Sequence, residues 1–151
     1  MLDLSLSPDT LDWNGTLYRT ILATADTGGA MCVLDSVTPP GFGPPIHVHA
    51  NEDETFVILS GELEFFLAGE RFTKGPGETA HIPRGTEHTF LTIGDQPSRH
   101  LVILTPGGFE GFFREMAEGS CRIPEDMPAV LQSAEKHGMA FTGPPLTANG
   151  G

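Results

Sequence analysis

The chain has 151 residues, including 19 glycines and 13 prolines, and its 8 basic and 20 acidic side chains give a formal net charge of -12. This length predicts one domain around a single hydrophobic core. The negative charge would repel nucleic-acid phosphates and anionic membrane surfaces, so neither is expected as a partner. No apolar run reaches the length of a membrane span.

The N-terminal segment and the cysteines predict a cytoplasmic protein. Residues 1–11 contain no basic residue and no continuous apolar run, and a secretory signal requires both. The two cysteines, Cys32 and Cys121, are far apart, and in a chain without an export signal they are expected to be reduced thiols. Because Cys32 lies in an apolar, strand-like run, we interpret it as a small buried hydrophobic residue.

Short strands separated by glycine and proline dominate the first two thirds of the chain. Residues 17–37 predict two strands joined by a turn at residues 27–29. The proline-rich loop at residues 39–45 is predicted not to pair in a sheet, and it leads into the strand that carries His47 and His49. Further strands are predicted at residues 54–60, 63–67, 79–83 and 100–104. This pattern indicates an all-β barrel or jelly roll.

The C-terminal third has helical spacing instead. Phe109, Phe112 and Phe113 begin an apolar stripe that ends at Gly119, and residues 127–137 predict a second helix. Both helices are expected to pack outside the barrel or against a partner subunit. We interpret the phenylalanine stripe as a packed helix face in preference to an aromatic ligand box.

His47 and His49 are separated by one residue, so in a strand their imidazoles point to the same face and can converge. Glu54 follows five residues after His49, and His88 comes about forty residues later. Histidines with a carboxylate suit iron and neighbouring transition metals, and they leave coordination positions open. The spacing alone does not establish a metal site, because paired histidines on a strand are more often ordinary surface or core residues.

A wider pattern of fixed spacings surrounds these four residues. Six positions complete it: Gly41, Gly61, Gly77, Pro83, Gly85 and Thr92. With these residues the chain resembles the cupin family, whose two motifs have this form. The last position is frequently asparagine in the family and is threonine here. Because that asparagine is not a metal ligand, the departure bears only on structural detail.

The resemblance implies a single-domain jelly-roll barrel with its core at about residues 39–106. A helical extension is expected at about residues 108–138, and a mobile proline- and glycine-rich tail at about 143–151. The family's usual shell implies one divalent metal held by four ligands: His47, His49, Glu54 and His88. Ligand type does not separate Fe, Mn, Ni, Co, Cu and Zn. Cupins are commonly dimers, so a homodimer is expected.

Strand alternation predicts the other side chains that face the metal. Counting by two from the ligands places Phe56, Ile58 and Phe90 in the pocket, as apolar walls for a small aromatic or enol-type substrate. His81 either contacts the substrate or lies on the outer face, and the sequence favours neither. Glu54 has a second candidate role as a general base.

Four further polar residues are assigned to solvent. Glu52 and Asp53 are predicted to be solvated charges in a loop, and His100 and His137 fall outside both motifs and are predicted surface residues.

The resemblance to quercetin dioxygenase-like small cupins implies a metal-dependent dioxygenase. Two alternatives remain open. One is an isomerase, epimerase or cyclase that uses the metal as a Lewis acid. The other is a cupin that binds a small molecule without turnover, since a fold and a site do not establish a reaction.

Overall fold

The computed structural model describes residues 8–147. Within this range the chain forms eleven strands, two α-helices and one short 3-10 turn at Thr24–Thr27. The strands are β1 Leu11–Trp13, β2 Thr16–Leu22, β3 Cys32–Thr38, β4 Pro45–His49, β5 Asp53–Ser60, β6 Glu62–Leu67, β7 Glu70–Lys74, β8 Thr79–Ile82, β9 His88–Ile93, β10 Ser98–Thr105 and β11 Met139–Pro145. The helices are α1 Glu110–Glu118 and α2 Met127–Lys136.

The strands form two antiparallel sheets. The first has six strands in the order β1-β2-β3-β10-β5-β8, and the second has five in the order β11-β4-β9-β6-β7. Consecutive strands often lie in different sheets, as β4 and β5 do. The predicted all-β architecture with two short helices is confirmed, although strand pairing within residues 8–147 does not close the two sheets into one continuous barrel.

The hydrophobic core lies between the two sheets. Phe56 of β5 packs edge-on against Phe65 of β6 and Phe90 of β9, with ring centroids 5.1 and 5.5 Å apart. Burying aromatic rings stabilises the fold, and edge-to-face pairs add about 0.5–1.5 kcal/mol beyond the buried area. Cys32 is completely buried, which agrees with its interpretation as a core residue.

The proline-rich loop before β4 is attached to β9 more closely than its sequence predicts. The backbone N–H of Gly41 donates to the carbonyl of Thr92, and the N–H of Thr92 donates to the carbonyl of Phe42. A Cβ atom at Gly43 would lie only 2.0 Å from the carbonyl oxygen of Phe90, so only glycine fits there. These contacts do not make the loop part of a strand, so the prediction that it does not pair in a sheet holds for residues 39–44 and is wrong only at Pro45, the first residue of β4.

The two predicted C-terminal helices are confirmed. Helix α1 packs on β1, and α2 packs on both β11 and α1. Phe112 and Met116 on α1 are buried in the core, as expected for a packed helix face. No helix within residues 8–147 is long and apolar enough to cross a membrane.

Several segments differ from the sequence expectations, among them strand β1 at Leu11–Trp13, which was not predicted. Strand β7 was not predicted, and it pairs with β6 through the turn at Gly69. Residues 143–145, predicted to belong to a mobile tail, form the end of β11, where Pro145 lies opposite Pro45. An edge strand tolerates proline because its outer N–H groups need no partner. Residues 148–151 of the expected tail, and residues 1–7 of the N-terminal segment on which the localisation prediction rests, lie outside the described residues.

Candidate metal centre

The four predicted ligands meet at one end of the space between the sheets. His47 and His49 lie on β4, His88 lies directly opposite His47 on β9, and Glu54 comes from β5 in the other sheet. One ligand atom from each lies within 4.8 Å of the others, and all four residues are buried. Small side-chain rotations would let one ion reach all four atoms.

Backbone carbonyls orient two of the imidazoles. His47 Nδ1 donates to the carbonyl of Pro45 at 2.7 Å, and His88 Nδ1 donates to that of Thr86 at 2.9 Å. In both rings Nε2 is therefore the nitrogen that can bind a metal, which at His88 would replace the proton that Nε2 shares with Glu54 Oε1. Burial, assisted by the neighbouring histidines, lowers the pKa of His47 to about 3, so this imidazole is neutral at neutral pH. A neutral imidazole is the form that binds metal.

The Glu54 carboxylate lies between two of the histidines. Its Oε1 is 3.1 Å from His88 Nε2, and its Oε2 is 3.6 Å from His49 Nε2. Burial alone would raise the pKa of Glu54, but the hydrogen bond from His88 and the nearby His49 lower it to about 2. Three imidazoles and one ionised carboxylate suit iron and its neighbours. The donor types, their orientation and their closeness thus fit one divalent transition metal ion.

Glu52 is buried, contrary to the expectation of a solvated charge. Its Oε1 lies 3.4 Å from His49 Nδ1, and neither atom has a hydrogen-bond partner among residues 8–147. The chain must pass between the sheets from β4 to β5, and this short crossing turns Glu52 inward. Asp53 begins β5 instead of lying in a loop, and its carboxylate accepts hydrogen bonds from the backbone N–H and the guanidinium of Arg84.

A cavity extends from the ligands into the core. His47, His49 and Glu54 form one end. Phe56 and Phe90 line it, in the positions that strand alternation predicts. The cavity is thus a largely aromatic space that adjoins three of the four ligands.

Two predicted pocket residues lie elsewhere. Ile58 is completely buried in the core but does not line the cavity. His81 is exposed on β8, where its Nδ1 lies 2.9 Å from the Thr55 hydroxyl, so the outer-face alternative is the one observed. Glu54 on β5 lies opposite Ile82 on β8, so these two side chains share a face of the sheet. His81 is the neighbour of Ile82, so its side chain points to the opposite face.

Both histidines assigned to the surface are less exposed than predicted. His100 is 1% exposed and lines the cavity, so its surface assignment was wrong. It occupies an inward position of β10, in step with Val102 and Leu104, and the same alternation applied to the predicted strand would have placed it inside. His137 is half-buried after α2, with its ring 6.2 Å from that of Phe109.

Other cavity residues come from segments that the sequence motifs do not cover. Trp13 of β1 and Tyr18 of β2 line the cavity from the N-terminal side. Phe109, just before α1, and Phe112 and Phe113 on α1 also line it. Phe109 packs edge-on against His49, with ring centroids 4.4 Å apart. The phenylalanine stripe therefore serves both as a packed helix face and as a cavity wall.

Comparison with known proteins agrees with this geometry. Residues 35–104 match the family model described as a cupin domain. The chain is 30% identical over 102 residues to quercetin 2,3-dioxygenase of Bacillus subtilis, and the match covers 68% of this chain but only 30% of that relative.

Solved structures share the fold. The polyketide cyclase RemF from Streptomyces resistomycificus is 27% identical with a TM-score of 0.55, covering 66% of this chain and 69% of its own. Ectoine synthase from P. lautus, at 16% identity and a TM-score of 0.63, covers 97% of this chain and 92% of its own and shows similarity of fold alone. The two motifs, the two-sheet fold and the family match together show that the chain belongs to the cupin superfamily.

Proposed function

We propose that this protein is a metal-dependent dioxygenase that acts on a small aromatic or enol-type substrate. A divalent transition metal held by His47, His49, Glu54 and His88 supplies Lewis-acid and redox chemistry for a substrate oxygen and dioxygen. One observation carries the proposal: the four ligand atoms converge at the end of an aromatic cavity. The 30% identity to a quercetin 2,3-dioxygenase supports it.

The protein's own groups have three tasks in this reaction. Aromatic walls such as Phe56, Phe90 and Phe109 bind a flat apolar substrate and exclude water, which would otherwise quench reactive species. The backbone carbonyls of Pro45 and Thr86 hold two ligand imidazoles in one orientation. Glu54 is ionised at neutral pH, so a carboxylate oxygen can accept the proton of a substrate hydroxyl.

The test begins with elemental analysis of the protein as purified, beside His49→Ala and a His81→Ala control on the exposed outer face. We expect near-stoichiometric iron, manganese, nickel, cobalt or copper that is lost only in His49→Ala. Oxygen uptake with flavonols, catechols and diones should follow the metal content. If the metal-loaded protein consumes no oxygen with any of these compounds, the dioxygenase proposal is wrong.

A second candidate is a cyclase that uses the metal as a Lewis acid without oxygen. The 27% identity to the polyketide cyclase RemF favours it, and zinc in the purified protein together with anaerobic turnover would support it. A cupin that binds its ligand without turnover is the third candidate, supported if every metal tested leaves the ligand unchanged. The homodimer, the cytoplasmic location and the absence of a nucleic-acid partner stay predictions.

A further inference from the structure

Two polar side chains line the aromatic part of the cavity without being metal ligands. They are Tyr18 on β2, which is 7% exposed, and His100 on β10, which is 1% exposed. The other residues around them are mostly apolar or aromatic. A polar group buried in such surroundings is costly unless it has a hydrogen-bond partner. Tyr18 has the Thr16 side chain as a partner, whereas one ring nitrogen of His100 has none among the described residues.

His100 has one ring nitrogen without a protein partner. Nδ1 lies 3.5 Å from the Ser98 hydroxyl, whereas no hydrogen bond reaches Nε2 from any residue that the structure describes. Phe90 packs edge-on against the ring at 5.1 Å, and Phe56 lies 5.4 Å away on a tilted plane. Burial lowers the pKa of His100 to about 4, so the ring is neutral at neutral pH and offers one N–H donor and one acceptor.

Tyr18 offers a hydroxyl held by a stacked ring. Its ring lies 4.3 Å from that of Phe113, at an interplanar angle of 27°. Burial raises the pKa of the Tyr18 hydroxyl more than its hydrogen bond with the Thr16 side chain lowers it, so the group keeps its proton. Because Thr16 can donate to the Tyr18 oxygen, the Tyr18 O–H can still donate to a ligand. Tyr18 and His100 line the same cavity as the ligands His47, His49 and Glu54.

We propose that Tyr18 and His100 bind a hydroxyl or carbonyl oxygen of a planar aromatic substrate whose other oxygen faces the metal ligands. This inference rests on the proposed function, because it takes the cavity as the substrate site. It narrows the substrate class to aromatic compounds with two separated oxygen substituents. Sugars and phosphate esters are excluded, because the phenylalanine walls leave most of their polar groups unpaired.

Trp13 allows the inference to be tested without any metal. It is the only tryptophan in the chain, and it lines the same cavity. A nitroaromatic compound that enters should therefore quench its fluorescence. The probes are para-nitrophenol and para-nitrotoluene, which have nearly the same shape and differ by a hydroxyl against a methyl group. They are titrated into metal-free protein at a pH at which the phenol is protonated.

We expect the wild type to bind the nitrophenol about tenfold more tightly than the nitrotoluene, the preference that one net hydrogen bond supplies. Tyr18→Phe and His100→Leu should each reduce this preference while leaving nitrotoluene affinity unchanged. The control His81→Leu removes an exposed histidine and should retain the preference. Thermal melting of each variant checks its fold, and the conservative Tyr18→Phe decides the matter if His100→Leu does not fold.

The inference is overturned if the wild type binds both probes equally, if neither probe quenches saturably, or if Tyr18→Phe keeps the full preference. This outcome is separate from the dioxygenase test, because the titration uses metal-free protein and measures binding, not oxygen uptake. Selective loss in the variants together with no oxygen uptake would refute the dioxygenase reaction and leave the binding role standing. Oxygen uptake by the wild type, together with an unaltered preference for the phenol in both variants, would support the dioxygenase reaction and refute the binding role of Tyr18 and His100.

Discussion

The two ends of the cavity are built in different ways. The metal end comes from residues 47–88, within two strands of one sheet and one strand of the other, and backbone carbonyls fix its imidazoles. The aromatic end is assembled from distant segments: Trp13 and Tyr18 near one terminus, Phe109 to Phe113 near the other. Local spacing therefore determines the ligands, whereas long-range packing determines what can bind beside them.

Their electrostatics differ in the same way. At the metal end the charged and titratable groups contact one another, as Glu54 does with His88 at 3.1 Å. At the aromatic end the rings of Tyr18 and His100 contact mainly phenylalanine, and burial dominates the pKa of both. If the two ends are independent, substitutions at one should leave the properties of the other unchanged.

The largest effect is expected from Glu54→Gln at the metal end. The amide keeps the size of the side chain but removes the negative ligand and the candidate base, so metal affinity should fall. Turnover should drop ~10²- to 10⁴-fold, the range that general acid–base catalysis contributes. Steady-state oxygen uptake at saturating metal measures this, with Glu62→Gln, an exposed glutamate on β6, as the control. Unchanged turnover would remove the proposed role of Glu54.

Phe112→Ala should produce the largest effect at the aromatic end. Phe112 is 1% exposed and contacts Trp13 edge-on with centroids 5.3 Å apart. Its removal from the core should lower the free energy of unfolding by about 3–5 kcal/mol. Urea unfolding measures this loss of stability. The control is Phe42→Ala, because Phe42 is 47% exposed and its removal should cost much less. Metal stoichiometry should persist at low temperature, and its loss would show that the two ends are coupled.

The same division explains what the sequence could predict. Fixed spacing identified His47, His49, Glu54 and His88, because side chains two apart in a strand share a face and the glycines set the turns. The order of the central strands could be read for the same reason. Thr92, the departure from the family motif, pairs through its backbone with the loop before β4 and through its hydroxyl with Ser98 at 2.8 Å.

Long-range contacts were beyond such reasoning. Nothing near Tyr18 in the sequence indicates that Phe113 stacks on it. Glu52 looked like a loop charge because its neighbours are polar, and only the crossing between sheets buries it. His100 is different, because the alternation along β10 would have predicted that its side chain points inward, but that alternation was not applied to His100. Strand β7 was missed because its polar residues carry little hydrophobic pattern.

Glu52→Gln should give a smaller effect, confined to the metal end. Glu52 Oε1 is 3.4 Å from His49 Nδ1, so a small shift lets the carboxylate accept the N–H and orient that imidazole. Loss of such an outer partner typically costs about 10- to 100-fold in metal affinity. Competition with a fluorescent chelator measures it. Asp53→Asn removes the same charge one residue away, and an equal loss there would show that net charge, not orientation, is responsible.

The smallest effect is expected from the anchor of α1, which carries part of the aromatic wall. The buried Glu110 carboxylate accepts hydrogen bonds from the backbone N–H of Thr24 at 2.8 Å and from that of Gly108 at 3.2 Å. Burial alone would raise the pKa of Glu110, but these bonds and the Thr24 hydroxyl lower it below its usual range. The stabilisation is therefore complete above the unfolded-state pKa and is lost as pH falls through the lower folded-state pKa.

Glu110→Gln should accordingly destabilise the protein by about 1 kcal/mol at neutral pH, the net contribution of one hydrogen bond. The difference from the wild type should shrink as the solution is acidified, because protonation removes the same charge from the wild-type side chain. Urea midpoints across the acidic range measure this, and Glu118→Gln, an exposed carboxylate on the same helix, is the control. A difference that stays constant with pH would show that shape, not charge, anchors α1. Metal affinity should be unchanged throughout, because Glu110 contacts Thr24 and Gly108 and none of the four ligands.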